Sequence, residues 1–324
     1  MKKIRFGILA PSGGWRRPGF SGLNRSRLRE AAAIARRSGT LAGARHDSYE
    51  ALLNDPDMDA VYIPLPIHQR VDWAIHAMRA GKHVLCEVPA GPDTEDVNRL
   101  IDATSRYPDV KVMEALAYRH HPQWQDAKRR VDSGEIGSLV AVQSFYSRPD
   151  HGPEGGNQFP DTEDGGLLEM GSHCVSVSRF LFGTEPVRAC GFADHGLESG
   201  AGRLFSGMID FSGPLATFTC ATTPAEFQRV NIVGTTGSIE VLAPFDPPID
   251  APSQTVLQQV GEPENPIRTI TFGVCDQHAV MADALARSIL DDTPAPASLT
   301  DAWANIHVME VLRESARLGT WVAC

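Results

Sequence analysis

The chain is predicted to be an α/β protein, with a doubly wound parallel sheet that lacks one element followed by an α+β domain on an open sheet. Three observations predict this. Through the first third, short continuous apolar runs alternate with amphipathic stretches, the pattern of a parallel sheet covered on both faces. From SLVAVQSFYS onward the strands alternate apolar and polar residues instead, which suits a sheet with one exposed face. The length, 324 residues, allows two sizeable cores at roughly 150 residues per domain. The boundary is placed before Pro122, giving domains of 1–121 and 122–324.

The elements follow in order. IRFGILA (4–10), DAVYIPL (59–65), HVLCEV (83–88) and VKVMEAL (110–116) read as buried strands. Between them SYEALLND, HQRVDWAIHAMRAGK and DTEDVNRLIDATSR carry apolar residues at helical spacing, with Ser48 and Asp93 as N-caps and Gly81 as a stop. LREAAAIARR, from Leu28, reads as a further helix. Only 17 residues separate Ala10 from Leu28, and a crossover helix with a second parallel strand needs a dozen or more for the connection alone. Either the first helix or the second strand is therefore expected to be missing there. After Pro122, PQWQDAKRRVDSGEIG makes a helix and a glycine turn, and RLFSGMIDF, PLATFTCATT and SIEVLAP are strands interrupted by the helix GSHCVSVSRFLFG. Two helices, at 276–290 and 300–318, close the chain. The Pro-rich stretch from Pro244 to Pro266 reads as a surface loop, and no internal repeat is found.

Composition excludes several function classes. A net charge of −10 and a pI near 5.5, without a long basic block, argue against nucleic acid as a partner. No apolar run approaches the roughly 20 residues that span a bilayer, and the N-terminal stretch lacks a secretory pattern. No membrane association is expected, and a cytoplasmic location is. The six cysteines form no CxxC pair and no cluster at metal spacing, so no metal is expected.

The segments DAVYIPLP, GKHVLCEVP, EALAYRHHPQ, SGEIGSL and GGLLEMGSHCVSVSRFLFG, in this order and spacing, resemble the Gfo/Idh/MocA oxidoreductases over residues 1–183. The resemblance implies a Rossmann-like domain holding a nicotinamide dinucleotide. It also implies an open-sheet domain that covers a sugar-like substrate and commonly forms the oligomer interface. A homo-oligomer through the C-terminal sheet is expected on this basis. Fold analogy alone does not settle chemistry, which is argued from the site.

Four features depart from the family pattern. The glycine fingerprint, whose glycines let the backbone approach a pyrophosphate, has Ala10, Ser12 and Trp15 at its positions, with Gly13 and Gly14 able to make a shifted turn. The segment after Ala10 is short; Asn24 and Arg25 are what remains near the ribose position, and Arg25 with Arg16 and Arg17 can hold a 2′-phosphate. After DAVYIPLP, where Pro64 is a candidate cofactor contact, the family's Asn and His are replaced by Ile67 and Arg70. Finally, Val88 stands where the family's Glu-Lys-Pro turn has the lysine that helps position substrate and move the hydroxyl proton, a task valine cannot perform. Glu87 remains beside it, with Arg70 or Arg119 as candidate counter-charges.

The substrate side keeps more of its polar residues. Glu169 and His173, four residues apart, lie one helical turn apart on one face. His173 is the leading acid/base candidate because its ordinary pKa is near neutrality, with Glu169 able to fix its tautomer. Tyr118, Arg119 and His120 follow the end of a buried strand, where open α/β sheets place ligands. Tyr118 can donate to a carbonyl, and Arg119 can hold an anion. His121, beside Pro122, reads as structural. Asp150, His151, Asp161 and Asp164 lie in a Gly-rich segment that is either a substrate lid or an ordinary loop.

The candidate catalytic set is thus His173, Glu169, Tyr118 and Glu87, and the candidate substrate-binding set is Arg119, His120 and Arg70. If a dinucleotide binds, Ala10, Ser12, Gly13, Arg25 and Pro64 hold it. Three functions stay open, each on a small hydroxylated or carbonyl substrate. The leading expectation is an enzyme without a cofactor that performs elimination, isomerisation or cyclisation through His173. The alternatives are an NADP- or NAD-dependent oxidoreductase with a remodelled cofactor site and a catalytically silent binding protein.

Overall fold

The structure, a computed structural model, describes residues 3–10, 46–149, 166–194, 204–222, 225–260 and 267–324, and the backbone of 29–36. Among these, two compact units are distinguished: residues 3–117 with 277–306, and residues 118–276 with 307–324.

The first unit is built on a five-stranded parallel sheet of order β2-β1-β3-β4-β5. Its strands are β1 (Ile4–Ala10), β2 (Arg29–Arg36), β3 (Ala60–Ile63), β4 (His83–Cys86) and β5 (Val112–Glu114). Phe6, Ile8, Val61, Ile63, Val84 and Leu85 are fully buried or nearly so, as strands covered on both faces require. Helices α1 (Tyr49–Leu53), α2 (Ile67–Arg79) and α3 (Thr94–Arg106) lie between the strands in sequence. The Ser48 and Asp93 side chains cap α1 and α3, accepting from Ala51 N at 3.0 Å and Asp96 N at 2.8 Å. Gly81 follows α2 with φ 71°, the left-handed conformation that glycine adopts without a Cβ penalty. Gly7 serves closeness instead: a Cβ there would meet Leu52 at 2.4 Å, so α1 can pack directly on β1.

One expectation is corrected here. The LREAAAIARR stretch is not a helix; its Arg29–Arg36 portion is strand β2, paired parallel to β1 from Ile4↔Arg29 to Ala10↔Arg36. Pairing along the edge of β1 overrides the helical preference of an Ala-rich run, because propensity is a weak prior against tertiary context. Of the two elements that the short interval could lack, the second strand is present; residues 11–28, where the first helix is expected, lie outside the described residues.

The second unit carries a nine-stranded sheet of order β13-β12-β11-β10-β6-β9-β8-β7-β14. Its strands are β6 (Leu139–Arg148), β7 (Arg188–Asp194), β8 (Leu204–Asp210), β9 (Leu215–Thr222), β10 (Phe227–Gly234), β11 (Gly237–Val241), β12 (Ser253–Gln259), β13 (Arg268–Phe272) and β14 (Val322–Ala323). The pairs are antiparallel except β6 with β9. Strand β12 lies within the Pro244–Pro266 stretch expected to be a loop. Its alternating SQTVLQQ is a short β pattern that the flanking prolines obscured.

A 3₁₀ turn (Ala117–His120) leads into α4 (Pro122–Asp132), and a π-helical turn (Leu167–Gly171) leads into α5 (Ser172–Phe182). Gly183, φ 67°, ends α5. One sheet face is buried, with Val142, Tyr146, Phe205, Ile209, Phe218, Val230 and Ile232. The other exposes Phe145, Phe192, Met208, Leu215, Phe227 and Val233. The closing helices are α6 (Gln277–Leu290) and α7 (Leu299–Leu318). No described helix is long and apolar enough to cross a membrane.

Candidate functional site

In the second unit the candidate residues gather around His173. This residue sits in the first turn of α5, just after the π-helical turn that carries Glu169. Its Nδ1 lies 3.0 Å from the main-chain carbonyl of Glu169. A carbonyl only accepts, so the ring donates through Nδ1, and the neutral tautomer presents Nε2 as the basic atom. The tautomer is thus set by the Glu169 backbone and not by the carboxylate expected to do so. Three aromatic rings flank the imidazole: Phe245 at 5.7 Å, Tyr146 at 5.9 Å and Tyr118 at 6.4 Å between centroids.

Tyr118 and Arg119 converge on α5. The Tyr118 hydroxyl is 2.8 Å from Ser176 Oγ, and Arg119 donates to Ser176 Oγ at 2.8 Å and to the Tyr118 hydroxyl at 3.3 Å. The Arg119 guanidinium also lies over the Phe180 ring at 5.4 Å. Tyr118 is buried, so its hydroxyl works within this network. Burial and the Arg119 charge hold His120 down at about 4, and it is neutral at pH 7. His121 is likewise held down to about 4 by burial. Its Nδ1 accepts from Gln123 N at 3.1 Å and caps α4, the structural role expected of it.

Sequence reasoning missed two rings beside His173, those of Tyr146 and Phe245, and two charged residues that hold Tyr146, Arg148 and Asp246. Tyr146 donates to Asp246 Oδ2 at 2.5 Å, and Arg148 pairs with the same oxygen at 2.6 Å while lying over the Tyr146 ring at 5.4 Å. Phe245 and Asp246 belong to a strap after β11 that is anchored from several sides. Gln123 Nε2 and Trp124 Nε1 donate to the Ala243 and Pro244 carbonyls, each at 2.7 Å. Gln228 Oε1 accepts from the Phe245 and Asp246 amides at 2.8 and 3.0 Å. Burial first, and the Asp246 charge next, push the Tyr146 phenol well above its ordinary range, so it stays a donor. The alternation of SFYSR already places Tyr146 and Arg148 on one face. Nothing local announces their partner in a Pro-rich segment.

In the first unit, Glu87 follows β4. Its carboxylate accepts from the Tyr62 hydroxyl and, at 3.2 Å, from the Val88 amide. Val88 is buried and joined to Pro89 by a cis peptide bond. Arg70 is fully buried and donates to the Leu65 carbonyl at 2.7 Å and the Pro89 carbonyl at 2.6 Å. It ties the loop after β3 to the turn after β4. Burial pushes the neighbouring Cys86 thiol up to about 12, and it is inert. Among the described residues no cluster of His, Cys, Asp and Glu suits a metal ion.

The sheet order places the topological switch between β1 and β3, since β2 and β3 pair with opposite edges of β1. Open α/β sheets bind ligands outside the carboxyl ends of the strands at such a point. Ala10 and Pro64 stand at those two ends, both buried, small and uncharged. The Ala10 carbonyl is already satisfied by the Tyr49 hydroxyl at 2.6 Å. These residues fit a dinucleotide backbone passing close to the strand ends. Ser12, Gly13, Trp15 and Arg25, with Gly14, Arg16, Arg17 and Asn24, lie outside the described residues, as do Asp150, His151, Asp161 and Asp164.

Comparison with known proteins settles the family. Residues 19–116 match the family model described as "Oxidoreductase family, NAD-binding Rossmann fold", and residues 124–240 match the GFO/IDH/MocA C-terminal domain. The chain is 34% identical over 91% of its length to an uncharacterized oxidoreductase of Rhizobium meliloti, covering 88% of that protein. The chain belongs to the Gfo/Idh/MocA oxidoreductase family. It is also 30% identical, over 90% of its length and 91% of the relative's, to D-xylose 1-dehydrogenase (NADP(+)) 2 of Haloferax volcanii. The fold matches the crystal structure of an aldose-aldose oxidoreductase from Caulobacter crescentus complexed with glycerol, at TM-score 0.85 and 22% identity over the whole of both chains.

Two expectations fall with this finding. A cofactor-independent lyase, isomerase or cyclase is not supported, because the relatives are dehydrogenases and oxidoreductases. The expected absence of a cofactor is likewise overturned: the family is an NAD-binding Rossmann family, and the Haloferax relative is named for NADP. The physical reason is that a switch point is made by backbone topology, which survives the loss of individual fingerprint side chains.

Proposed function

We propose that the protein is an NADP-dependent oxidoreductase of a small hydroxylated or carbonyl compound, with His173 carrying the proton that the family's lysine would carry. The observation behind this reading is the tautomer of His173. With Nδ1 donating to the Glu169 carbonyl, Nε2 is the atom that takes a hydroxyl proton or returns it. Val88, in the lysine's place, has no proton to exchange.

A bound nicotinamide would supply hydride transfer. Ala10 and Pro64, with Ser12, Gly13 and Arg25, are the residues assigned to hold it. The remaining roles belong to the second unit. The rings of Tyr118, Tyr146 and Phe245 fix the imidazole plane and keep water from the ring faces. Arg119 and His120 bind and orient polar groups of the substrate. His120, being neutral, can accept as well as donate. In the first unit, Arg70 is assigned a positioning role and Glu87 an orienting one. The family relatives support a sugar-like alcohol or aldehyde as substrate.

The exposed sheet face is assigned to a second copy of the chain. A groove of about 520 Å³ there is lined by Phe145, Phe192, Met208, Phe227 and Arg229, among others. Two of the face's arginines are paired locally, Arg229 with Glu240 and Arg188 with Asp210. Two chains of net charge −10 can therefore meet on it without adding repulsion at the contact. Nine strands at about 4.8 Å spacing offer roughly 800 Å², what each partner gives to a standard interface.

The test combines binding and turnover. Titration calorimetry with NADPH should give micromolar or tighter affinity, and reduction of NADP with a panel of aldoses and polyols should identify the substrate. His173→Asn should then lower kcat by about 10²- to 10⁴-fold while leaving NADPH affinity unchanged. Full turnover in that variant would remove His173 from the proton path, and absence of NADP(H) and NAD(H) binding would remove the oxidoreductase reading.

A further inference from the structure

The strap after β11 brings a charged residue to Tyr146, whose ring flanks His173, that neither the motif pattern nor the family comparison assigns. Asp246 holds the Tyr146 hydroxyl and the Arg148 guanidinium through one carboxylate oxygen. Tyr146 in turn sets its ring at 79° to the His173 ring, 5.9 Å away. The residue before it, Phe245, contacts the same imidazole at 69° and 5.7 Å. Four hydrogen bonds from Gln123, Trp124 and Gln228 anchor the strap. Its position is therefore fixed before any substrate arrives. We propose that Asp246, acting through Tyr146 and against the charge of Arg148, is a positioning residue that orients His173 and stabilises its protonated form.

The charges around the ring favour this role. The π-helical turn contributes Glu169, the 3₁₀ turn contributes Tyr118 and Arg119, β6 contributes Tyr146 and Arg148, and the strap contributes Asp246. Arg119 is engaged with Ser176 and Tyr118 and lies over Phe180. Arg148 is engaged by Asp246 and lies in the fields of Glu169 and Glu226. Removing Asp246 leaves Arg148 facing the cluster with less compensation, which disfavours an imidazolium. Removing Arg148 does the reverse. Electron-rich faces of Tyr146 and Phe245 add a weaker attraction for a cationic ring. A residue with a purely structural role would not produce opposite effects in the two variants.

The inference rests on the reading that His173 is the proton carrier, but its test does not need turnover. In the full-length protein, the imidazole C–H resonance of His173 is assigned among the eleven histidines by its absence in His173→Asn. It is then titrated by NMR. Asp246→Asn should lower the His173 midpoint, and Arg148→Gln should raise it, each by about one pH unit, the order of effect of one nearby charge in a partly screened site. Midpoints that stay put, or that move in the same direction, overturn the proposal. If Asp246→Asn fails to fold, the upward shift in Arg148→Gln decides alone, and its absence overturns the proposal. The pH profile of kcat/KM separates the two readings. If the NMR midpoints move in opposite directions while the kinetic limb stays fixed, Asp246 positions His173 but His173 is not the proton carrier.

Discussion

Arg70 and Val88 show how a single side chain changes meaning once its surroundings are known. Read along the sequence, Arg70 occupies a position where a cofactor-facing histidine is expected and looks available to a substrate. In the fold its guanidinium binds two main-chain carbonyls, at Leu65 and Pro89, and no part of it reaches solvent. Hydrogen bonds from a charged group to buried carbonyls contribute about 1.5–3 kcal/mol each, and their loss leaves the carbonyls unsatisfied. Arg70→Met should therefore destabilise the protein by about 3 kcal/mol, read as a lowered urea midpoint of the full chain. An unchanged midpoint would show that these bonds are replaced by water. Val88, buried beside Glu87, marks the complementary change. The proposed reading moves proton transfer from the turn after β4 to His173 on α5, whose Nδ1 is held by the Glu169 carbonyl.

At the scale of elements, α4 depends on one histidine. Its N-cap, His121, accepts from Gln123 N through Nδ1, and an acceptor must be unprotonated. Burial holds this group, and burial with Arg119 holds His120, at about 4 against 6.5 for an ordinary histidine. In the unfolded chain both protonate near 6.5, so between about 6.5 and 4 the unfolded state binds more protons than the native one. The stability they provide is complete above pH 6.5 and is lost progressively as pH falls towards 4. Thermal melting should show Tm declining over this window. His121→Asn, which keeps a capping acceptor but cannot titrate, should flatten the decline relative to wild type. Parallel curves for the two proteins would show that the cap does not control the acid limb. The same helix supplies Gln123 and Trp124 to the strap, so acid loosening of α4 should also reach Phe245 and Asp246.

At the scale of the molecule, the proposed association is carried by the exposed face of the nine-stranded sheet. Phe192 is 65% exposed and Phe227 47%, on a face where Arg188 and Arg229 are paired with Asp210 and Glu240. The dimer assigned to this face predicts sedimentation as twice the chain mass of 35.1 kDa. Phe192→Glu with Phe227→Glu should convert it to monomer, because two like charges per copy would be buried against their symmetry mates. A wild-type monomer at micromolar concentration would rule out this use of the face, as would a dimer indifferent to both substitutions.

Much of the architecture was legible in the sequence because its signals are local. Apolar runs marked four strands of the first sheet, alternation marked β6, β8, β9 and β11 of the second, and Ser48, Asp93 and Gly81 punctuated the helices as their side chains or φ preferences require. The order of motifs was enough to indicate the family. What the tertiary structure alone decided involves residues far apart in the chain. Strand β2 exists because β1 offers it an edge, against the helical preference of its own alanines. Tyr146 meets Asp246 across 100 residues, and Trp124 meets Pro244 across 120. Glu169 serves His173 with its carbonyl, a group every residue has and no motif records. Periodicity and capping report what a segment does with its near neighbours, whereas the site around His173 is made by contacts that exist only after the sheet has brought distant segments together.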